Sequence, residues 1–420
     1  MPSGPGLTWA SSPTRERPSG PEAVTMRRNF ISMTELPYSK GHSIFLPRWQ
    51  ARLRTGSQNG TERPPAGTGS PVPETAKRQL TGLEIFLRRC PTPPMPDSYL
   101  SVDLGGTSLR MALLDAEGAF LAQQVLSSDL VRKGADLIKV LSQEAELFRF
   151  RAEKIDAEIR GMALGIPGLV DSGRGVVRQS PHFPEWRDVP LREALQSALP
   201  FPVVMENDAN QAALGEAWKG AGREWPSFIL LTLGTGVGGG VILDGKIFHG
   251  PNGFAGEMGH IVLERRGLPG ALGSRGTLET LASQSGLRLQ LESLQNAGGL
   301  PAAISDLDPA DPALPEKLFQ AASAGESVAL EIWREFGVAL GCGIASLGLA
   351  FGFERFVVGG GLSAAWRFFE KGLREEIQDR VYPCLAERME TAPAKLGNNA
   401  GLLGGVRLVQ TAQSTSCSPP

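Results

Sequence analysis

Apolar and polar positions organise the chain clearly from Tyr99 onward. Tyr99-Leu100-Ser101-Val102-Asp103-Leu104 is a strand-length apolar segment that runs into Gly105-Gly106-Thr107. Residues 109–114 predict a second strand, Glu117-Gly118 a turn, and 119–125 a third strand. Over 129–148, Leu130, Leu137, Val140, Leu141 and Leu147 recur at helical spacing, so an amphipathic helix follows. Residues 159–166 return to strand character and stop at Pro167-Gly168. A three-strand meander, a helix and another strand make an α/β unit with a mixed sheet.

The same order recurs about 130 residues later. The apolar run 228–233 enters a glycine turn at 234–240, continues as 241–243, turns at Asp244-Gly245 and resumes at 246–248. The two stretches share shape rather than residues, a weak sign of two related halves. Further strands are expected at 203–206 and 356–358, with helices at 209–218 and 364–381. The longest apolar runs, 228–233 and 344–351, fall short of the roughly 18 residues a membrane-spanning helix needs. No membrane partner is expected.

Composition adds limits. The 420 residues and 44.7 kDa suggest two or three domains, and 41% hydrophobic with 20% charged residues is ordinary for a globular chain. The formal net charge of −2 gives no basic field to attract nucleic acid. Charge is unevenly spread, however: residues 1–95 carry 13 Lys or Arg against 6 Glu and no Asp, and 14 of the 32 prolines. Such a segment buries too little apolar surface to offset its ordering entropy. A disordered extension is expected there, with room for one short helix at 79–89. Met95 would serve as an alternative start. An Arg-rich transit peptide fits less well because prolines interrupt any amphipathic helix, and a DNA-binding arm lacks two compact helices joined by a turn. Four scattered cysteines, without metal-type spacing or a secretory leader, point to a reducing, cytoplasmic setting.

The 52 glycines need a reason. Asp103 stands at a strand end before Gly105, Gly106 and Thr107, where bare backbone N–H groups and a hydroxyl can approach anionic oxygens. An acid beside phosphate needs a cation, so Asp103 suits Mg²⁺, held directly or through water. The second turn repeats the device with Thr235 and Gly236 but no acid. Either turn alone is equally a tight hairpin needing glycine; two after similar strands favour phosphate. No GxxxxGK[ST] occurs, and the second turn opens onto a strand, so neither the P-loop nor the dinucleotide fingerprint fits. Gly359, Gly360 and Gly361 end a β-branched strand before a helix, which suits a flat ligand such as adenine or simply a strand-to-helix turn.

Glu206-Asn207-Asp208-Ala209-Asn210-Gln211 ends another strand. Asp208 there could cap the following helix, or take a proton from a substrate hydroxyl. Capping explains one polar residue but not the run. Glu257 and His260 lie three residues apart, and Glu279 follows; carboxylates, amides and one imidazole are what a polyhydroxylated ligand needs. Each alone would be a solvated or structural residue; their order along the chain argues for a site.

Taken together, Asp103–Thr107 with Arg110, Glu206-Asn207-Asp208-Ala209-Asn210, and Leu233-Gly234-Thr235-Gly236-Val237-Gly238-Gly239 through Gly256-Glu257-Met258-Gly259-His260 resemble the ROK family. That family groups sugar kinases with related repressors inside the actin-like, hexokinase-like ATPases. The resemblance covers 99 to about 410 and leaves 1–95 untouched. It implies an α/β fold of two ribonuclease-H-like domains with an interdomain cleft. A small domain would span 96–212, completed by a C-terminal helix near 401–412, and a large one 213–400. By the resemblance Asp208 is the base that deprotonates the sugar. Asn207, Glu257, His260 and Glu279 would hold its hydroxyls. Gly105, Gly106, Thr107, Thr235 and Gly236 would border the phosphates of ATP, with Asp103 near Mg²⁺ and Gly359, Gly360 and Gly361 near adenosine. Glucose is the default substrate; N-acetylmannosamine, N-acetylglucosamine or fructose kinases, or a sugar-responsive regulator, are the alternatives. A homodimer is the family habit. His182 stands where many relatives have Asn, a difference that either alters the sugar preference or has no consequence.

One departure is large. Much of the family holds structural zinc with the His of Gly-His and three cysteines, whereas the thiolate positions here are Gly270, Leu272 and Thr277. One imidazole cannot complete a four-coordinate site. No zinc is expected, and packing around Leu268 and Leu272 is expected to order that loop instead.

Overall fold

The computed structural model describes residues 95–270, 273–298 and 300–416, all within the compact unit Arg88–Pro420. Apart from Met95, the extension expected at 1–95 lies outside the described residues, as does Leu272.

β1 (Asp97–Leu104), β2 (Ser108–Asp115) and β3 (Phe120–Ser127) form the expected antiparallel meander. The helix expected at 129–148 is split and shifted. A 3₁₀ turn at Ser128–Val131 comes first, capped by the Ser127 side chain, which accepts from Asp129 N–H; the α-helix α1 then runs Gly134–Glu153. β4 (Glu158–Ile166) returns parallel to β1. A small ribbon follows, made of β5 (Leu169–Asp171), β6 (Val176–Gln179) and β7 (Arg187–Val189). α2 (Leu191–Ala198) leads into β8 (Val203–Asn207), parallel to β4, and α3 (Asp208–Lys219) leaves its end. The first sheet has the order β3-β2-β1-β4-β8.

The second sheet repeats this plan. β9 (Phe228–Leu233), β10 (Val237–Leu243) and β11 (Lys246–Ile247) form an antiparallel meander, and β12 (Arg355–Gly359) and β13 (Glu390–Pro393) add in parallel, giving β11-β10-β9-β12-β13. Between β11 and β12 lie α4 (Gln284–Ala297), α5 (Leu314–Ser323) and α6 (Ser327–Phe351); α7 (Trp366–Arg380) follows β12, and α8 (Ala400–Ser416) closes the described chain. Only part of the second glycine turn is a turn. Gly238, Gly239 and Gly240 pair with Thr232, Leu231 and Leu230 inside β10, leaving Gly234–Gly236 as the bend.

α6 corrects the expectation about apolar runs, because by length and composition its 25 residues could cross a bilayer. The interruptions that shorten the run in sequence are exposed polar residues such as Glu331 and Arg334, and buried glycines such as Gly337 and Gly341 that let α7 approach closely. Ile332, Trp333, Phe336, Leu340 and Ile344 are buried in the core of the second sheet, with Trp333 and Phe336 against Phe369 of α7. Truncating such a side chain typically costs about 2–5 kcal/mol. The first sheet is covered by α1 on one face, and on the other by Leu402, Leu403, Val406 and Val409 of α8.

α3 touches both sheets. Its Ala213 and Leu214 pack with Phe228, Leu230 and Ile242 of the second sheet. Its buried Gln211 donates to the carbonyls of Val102 in β1 (3.0 Å) and Gly401 in α8 (2.9 Å). The helix that begins at Asp208 is therefore fixed to both halves of the molecule.

Candidate active site

Parallel strands collect ligand groups at their carboxyl ends. Register does this here: Asp103 in β1 lies beside Gly165 in β4, and Gly165 beside Glu206 in β8. Asp103 and the Glu206–Asp208 turn thus emerge at one end of the first sheet. Asp103 also faces Arg110 across the β1/β2 pair, with the guanidinium 3.6 Å from the carboxylate.

Two cavities meet at this edge. The larger, about 320 Å³, is lined by Asn207, Asp208, Glu257, His260 and Glu279, together with Gly106, Thr107, Thr235, Gly236, Gly360 and Gly361. The smaller, about 200 Å³, is lined by Asp103, Gly105, Arg110, Asp208, Gly359 and Gly360. All fourteen residues singled out in the sequence border one cavity or the other, and Asp208 borders both.

Asn207, not Asp208, caps α3. Its Oδ1 accepts from Ala209 N–H (2.9 Å) and Asn210 N–H (3.1 Å), and its Nδ2 donates to the Gly168 carbonyl (3.0 Å). Capping therefore falls to Asn207, which leaves the Asp208 carboxylate bordering both cavities, where it accepts from Ala209 N–H at 2.9 Å. Burial, then the nearby Asp103 carboxylate, push the Asp208 pKa up to about 7. Burial likewise raises Asp103, with Arg110 opposing, and raises Glu257, with His260 opposing and Glu279 adding. Three acids crowd a secluded cleft, an arrangement typical of sites that handle protons or cations.

Glu279, in the larger cavity, is held from behind. Glu279 sits in a single helical turn, Leu278–Leu281, and its Oε2 accepts from Val237 N–H (3.1 Å). A Cβ on Gly236 would collide with that same oxygen, so the place of Glu279 requires glycine at 236. His260 Nε2 lies 3.8 Å from Glu257 Oε2. His182 also reaches the larger cavity, its Nδ1 only 2.9 Å from where a Cβ on Gly106 would stand; burial lowers its pKa, and Glu279 opposes the shift. Its place against the first glycine turn makes the departure from Asn a departure inside the site.

The loop that replaces the zinc-type segment is not ordered by Leu268, which is 43% exposed. Backbone bonds do the work: Gly276 N–H to the Leu268 carbonyl (2.9 Å), Gly270 N–H to Ser274 (2.9 Å) and Leu263 N–H to Gly276 (2.8 Å), with Arg275 Nη1 on the Gly267 carbonyl. The expected packing fails at Leu268, while its other half, at Leu272, lies outside the described residues.

Residues 99–412, three quarters of the chain, match the ROK family. The chain belongs to the ROK family. Among ROK proteins it is 35% identical to a glucokinase from Halalkalibacterium halodurans over 319 residues, 76% of this chain and 96% of that relative. It is 30% identical to a xylose repressor from Caldicellulosiruptor bescii, over 74% of this chain and 78% of the repressor. In structure it is similar to a ROK family glucokinase from Streptomyces griseus solved in complex with glucose and AMPPNP. That likeness has a TM-score of 0.63 and 29% identity, and covers 75% of this chain and 99% of the other. The two mixed sheets and the cleft between them are the ROK kinase fold.

Sequence reasoning missed two contributors. Gln211 was visible only as one more amide in a polar run, and His249 carried no signal at all; its partner, Glu206, is 43 residues away in sequence.

Proposed function

We propose that this ROK protein is an ATP-dependent hexose kinase, with glucose as its first candidate substrate. The observation that carries the reading is that Asp208 borders both cavities, one ringed by sugar-type contacts and the other by glycines and a second acid.

A pyranose in the larger cavity would meet Glu257, His260 and Glu279 as hydrogen-bond partners for its hydroxyls, with the unspent N–H of Asn207 Nδ2 beside Asp208. Asp208 takes the proton of the acceptor hydroxyl as that oxygen forms its bond to the γ-phosphorus of ATP. The bond from that phosphorus to the β,γ-bridging oxygen breaks, and ADP leaves. A carboxylate poised near neutrality matches such general-base work better than an ordinary Asp. Phosphoryl transfer asks mainly for positioning and charge neutralisation, which the glycine backbones, Thr107, Thr235 and Arg110 are set to supply. The donor set fits a hard divalent cation: Asp103 and Asp208 are crowded carboxylates offset only in part by Arg110. Asp103 would hold Mg²⁺ in the smaller cavity, where the ion would neutralise phosphate charge.

The full match to a kinase relative supports this reading over its rival: the chain covers 96% of the glucokinase but 78% of the xylose repressor. The repressor match still supports a second reading, a sugar-responsive regulator. A coupled ADP-release screen of the full chain over hexoses and N-acyl hexosamines, run beside a DNA-shift assay, separates them. Turnover with glucose or a close relative is expected. Sugar-dependent DNA binding without turnover would replace the kinase reading with the regulator.

A further inference from the structure

Glu206 directly precedes the cap residue of α3, yet none of the roles above uses its side chain. That side chain is 2% exposed, and among the described residues His249 is its one charged partner, with Nε2 2.6 Å from Oε2. The other carboxylate oxygen accepts from Asn207 N–H (2.9 Å) and from Asn210 Nδ2 (3.0 Å). One oxygen therefore clamps the turn that carries Asp208, and the other reaches a residue just after β11 of the second sheet. A carboxylate buried this deeply is costly without a charged partner.

His249 is equally well connected on its own side. Its carbonyl accepts from Ala255 N–H (3.0 Å), closing the 249–255 turn that delivers Glu257 and His260 to the larger cavity. We propose that His249 is a positioning residue, whose bond to Glu206 holds the base-bearing turn and the sugar-facing loop in one frame across the two sheets. This rests on the kinase reading, because it assigns the tie a role in setting Asp208 against the sugar contacts.

The chemistry suits a proton-dependent tie. Glu206 holds the His249 ring above the usual imidazole range, with burial opposing. The ring's other neighbours line an apolar cavity with Phe248, Phe254, Met258 and Phe351, in which Glu257 is the one other titratable group. α6 contributes only Leu347 and Phe351 to that cavity, and no Lys or Arg lines it. Loss of the ring proton at alkaline pH leaves a weaker neutral bond to a buried carboxylate, and the frame should loosen.

The test uses the full chain. Histidine-ring NMR follows the titration without ligands, in a protein with only 4 histidines; ADP release follows kcat and KM from pH 5.5 to 9.5. Glu206→Gln should lower the His249 midpoint by about one pH unit or more. His249→Gln should cut kcat by about 10- to 100-fold, the scale of a slightly misplaced catalytic group, with KM for ATP little changed. His249→Arg, permanently charged, should recover most of that loss and flatten the alkaline decline of the natural protein. An ordinary midpoint indifferent to Glu206→Gln overturns the tie. An unchanged kcat and pH profile in His249→Gln overturns the positioning role even if the tie exists. Should Glu206→Gln fail to fold, the two His249 variants decide alone. If the natural protein phosphorylates no sugar while the midpoint still depends on Glu206, the kinase reading fails, and the positioning role fails with it.

Discussion

Asp208→Asn should make the protein more stable, and only above a certain pH. The folded carboxyl keeps its proton up to about pH 7, whereas an unfolded Asp releases it near 4. Between those values the folded chain binds the extra proton, so the contribution of this group to stability is full below about pH 4 and lost as pH rises through 7. Roughly three pKa units at 1.36 kcal/mol each set a ceiling of about 4 kcal/mol. The amide is nearly isosteric, still accepts from Ala209 N–H, and carries no charge to repel Asp103. For a folded body of roughly 320 residues, near 2.1 cal/mol/K each, that ceiling is about 6 °C in thermal midpoint. Melting curves of the natural protein and Asp208→Asn at pH 4 and pH 8.5 measure it directly. Midpoints that coincide at pH 4 and separate in favour of the variant at pH 8.5 are expected. A variant less stable at pH 8.5, or equally stabilised at both, would refute the placement of an ionised carboxylate in a crowded, secluded cleft.

Gly236→Ala should drive the Glu279 carboxylate off the Val237 N–H and out of the larger cavity; losing one charged hydrogen bond of about 1.5–3 kcal/mol predicts a rise in sugar KM of about 10- to 100-fold, read by steady-state kinetics, and an unchanged sugar KM would refute that contact. In the natural protein kcat/KM for the sugar should fall as pH drops through about 7, because the base must be unprotonated; a flat profile from pH 5 to 8 would remove Asp208 from that role. Metal analysis of purified protein should find less than about 0.1 zinc per chain, and chelators should leave the melting point unmoved, since three of the four donor positions lack a ligand side chain. About one zinc per chain would contradict this.

Much of the fold was legible because both sheets are written in short apolar runs bounded by glycine turns, and the shared strand order of the halves follows from that repetition. Boundaries failed where capping or pairing decided them. Ser127 starts a separate turn before α1, and Gly238, Gly239 and Gly240 enter β10 because their partners in β9 satisfy the backbone despite the missing side chains. α6 was unreadable as one long apolar helix because period-specific burial, not a continuous run, makes it a core element. The site was legible as a list of chemical types and their order. What could not be read was division of labour between neighbours: Asn207 caps, Asp208 faces the cavities, Glu206 turns inward to His249. Such assignments depend on where three adjacent side chains point at the end of one strand, and on a partner contributed by the other sheet.

Glucose binding and ATP turnover of Asp208→Asn, measured side by side with the natural protein, address the central claim most directly. The variant should bind glucose within a few-fold of normal by calorimetry while turnover falls by about 10²–10⁴-fold, the usual range for a lost general base. Full turnover in the variant, or loss of sugar binding in step with turnover, would contradict the role given to that carboxylate.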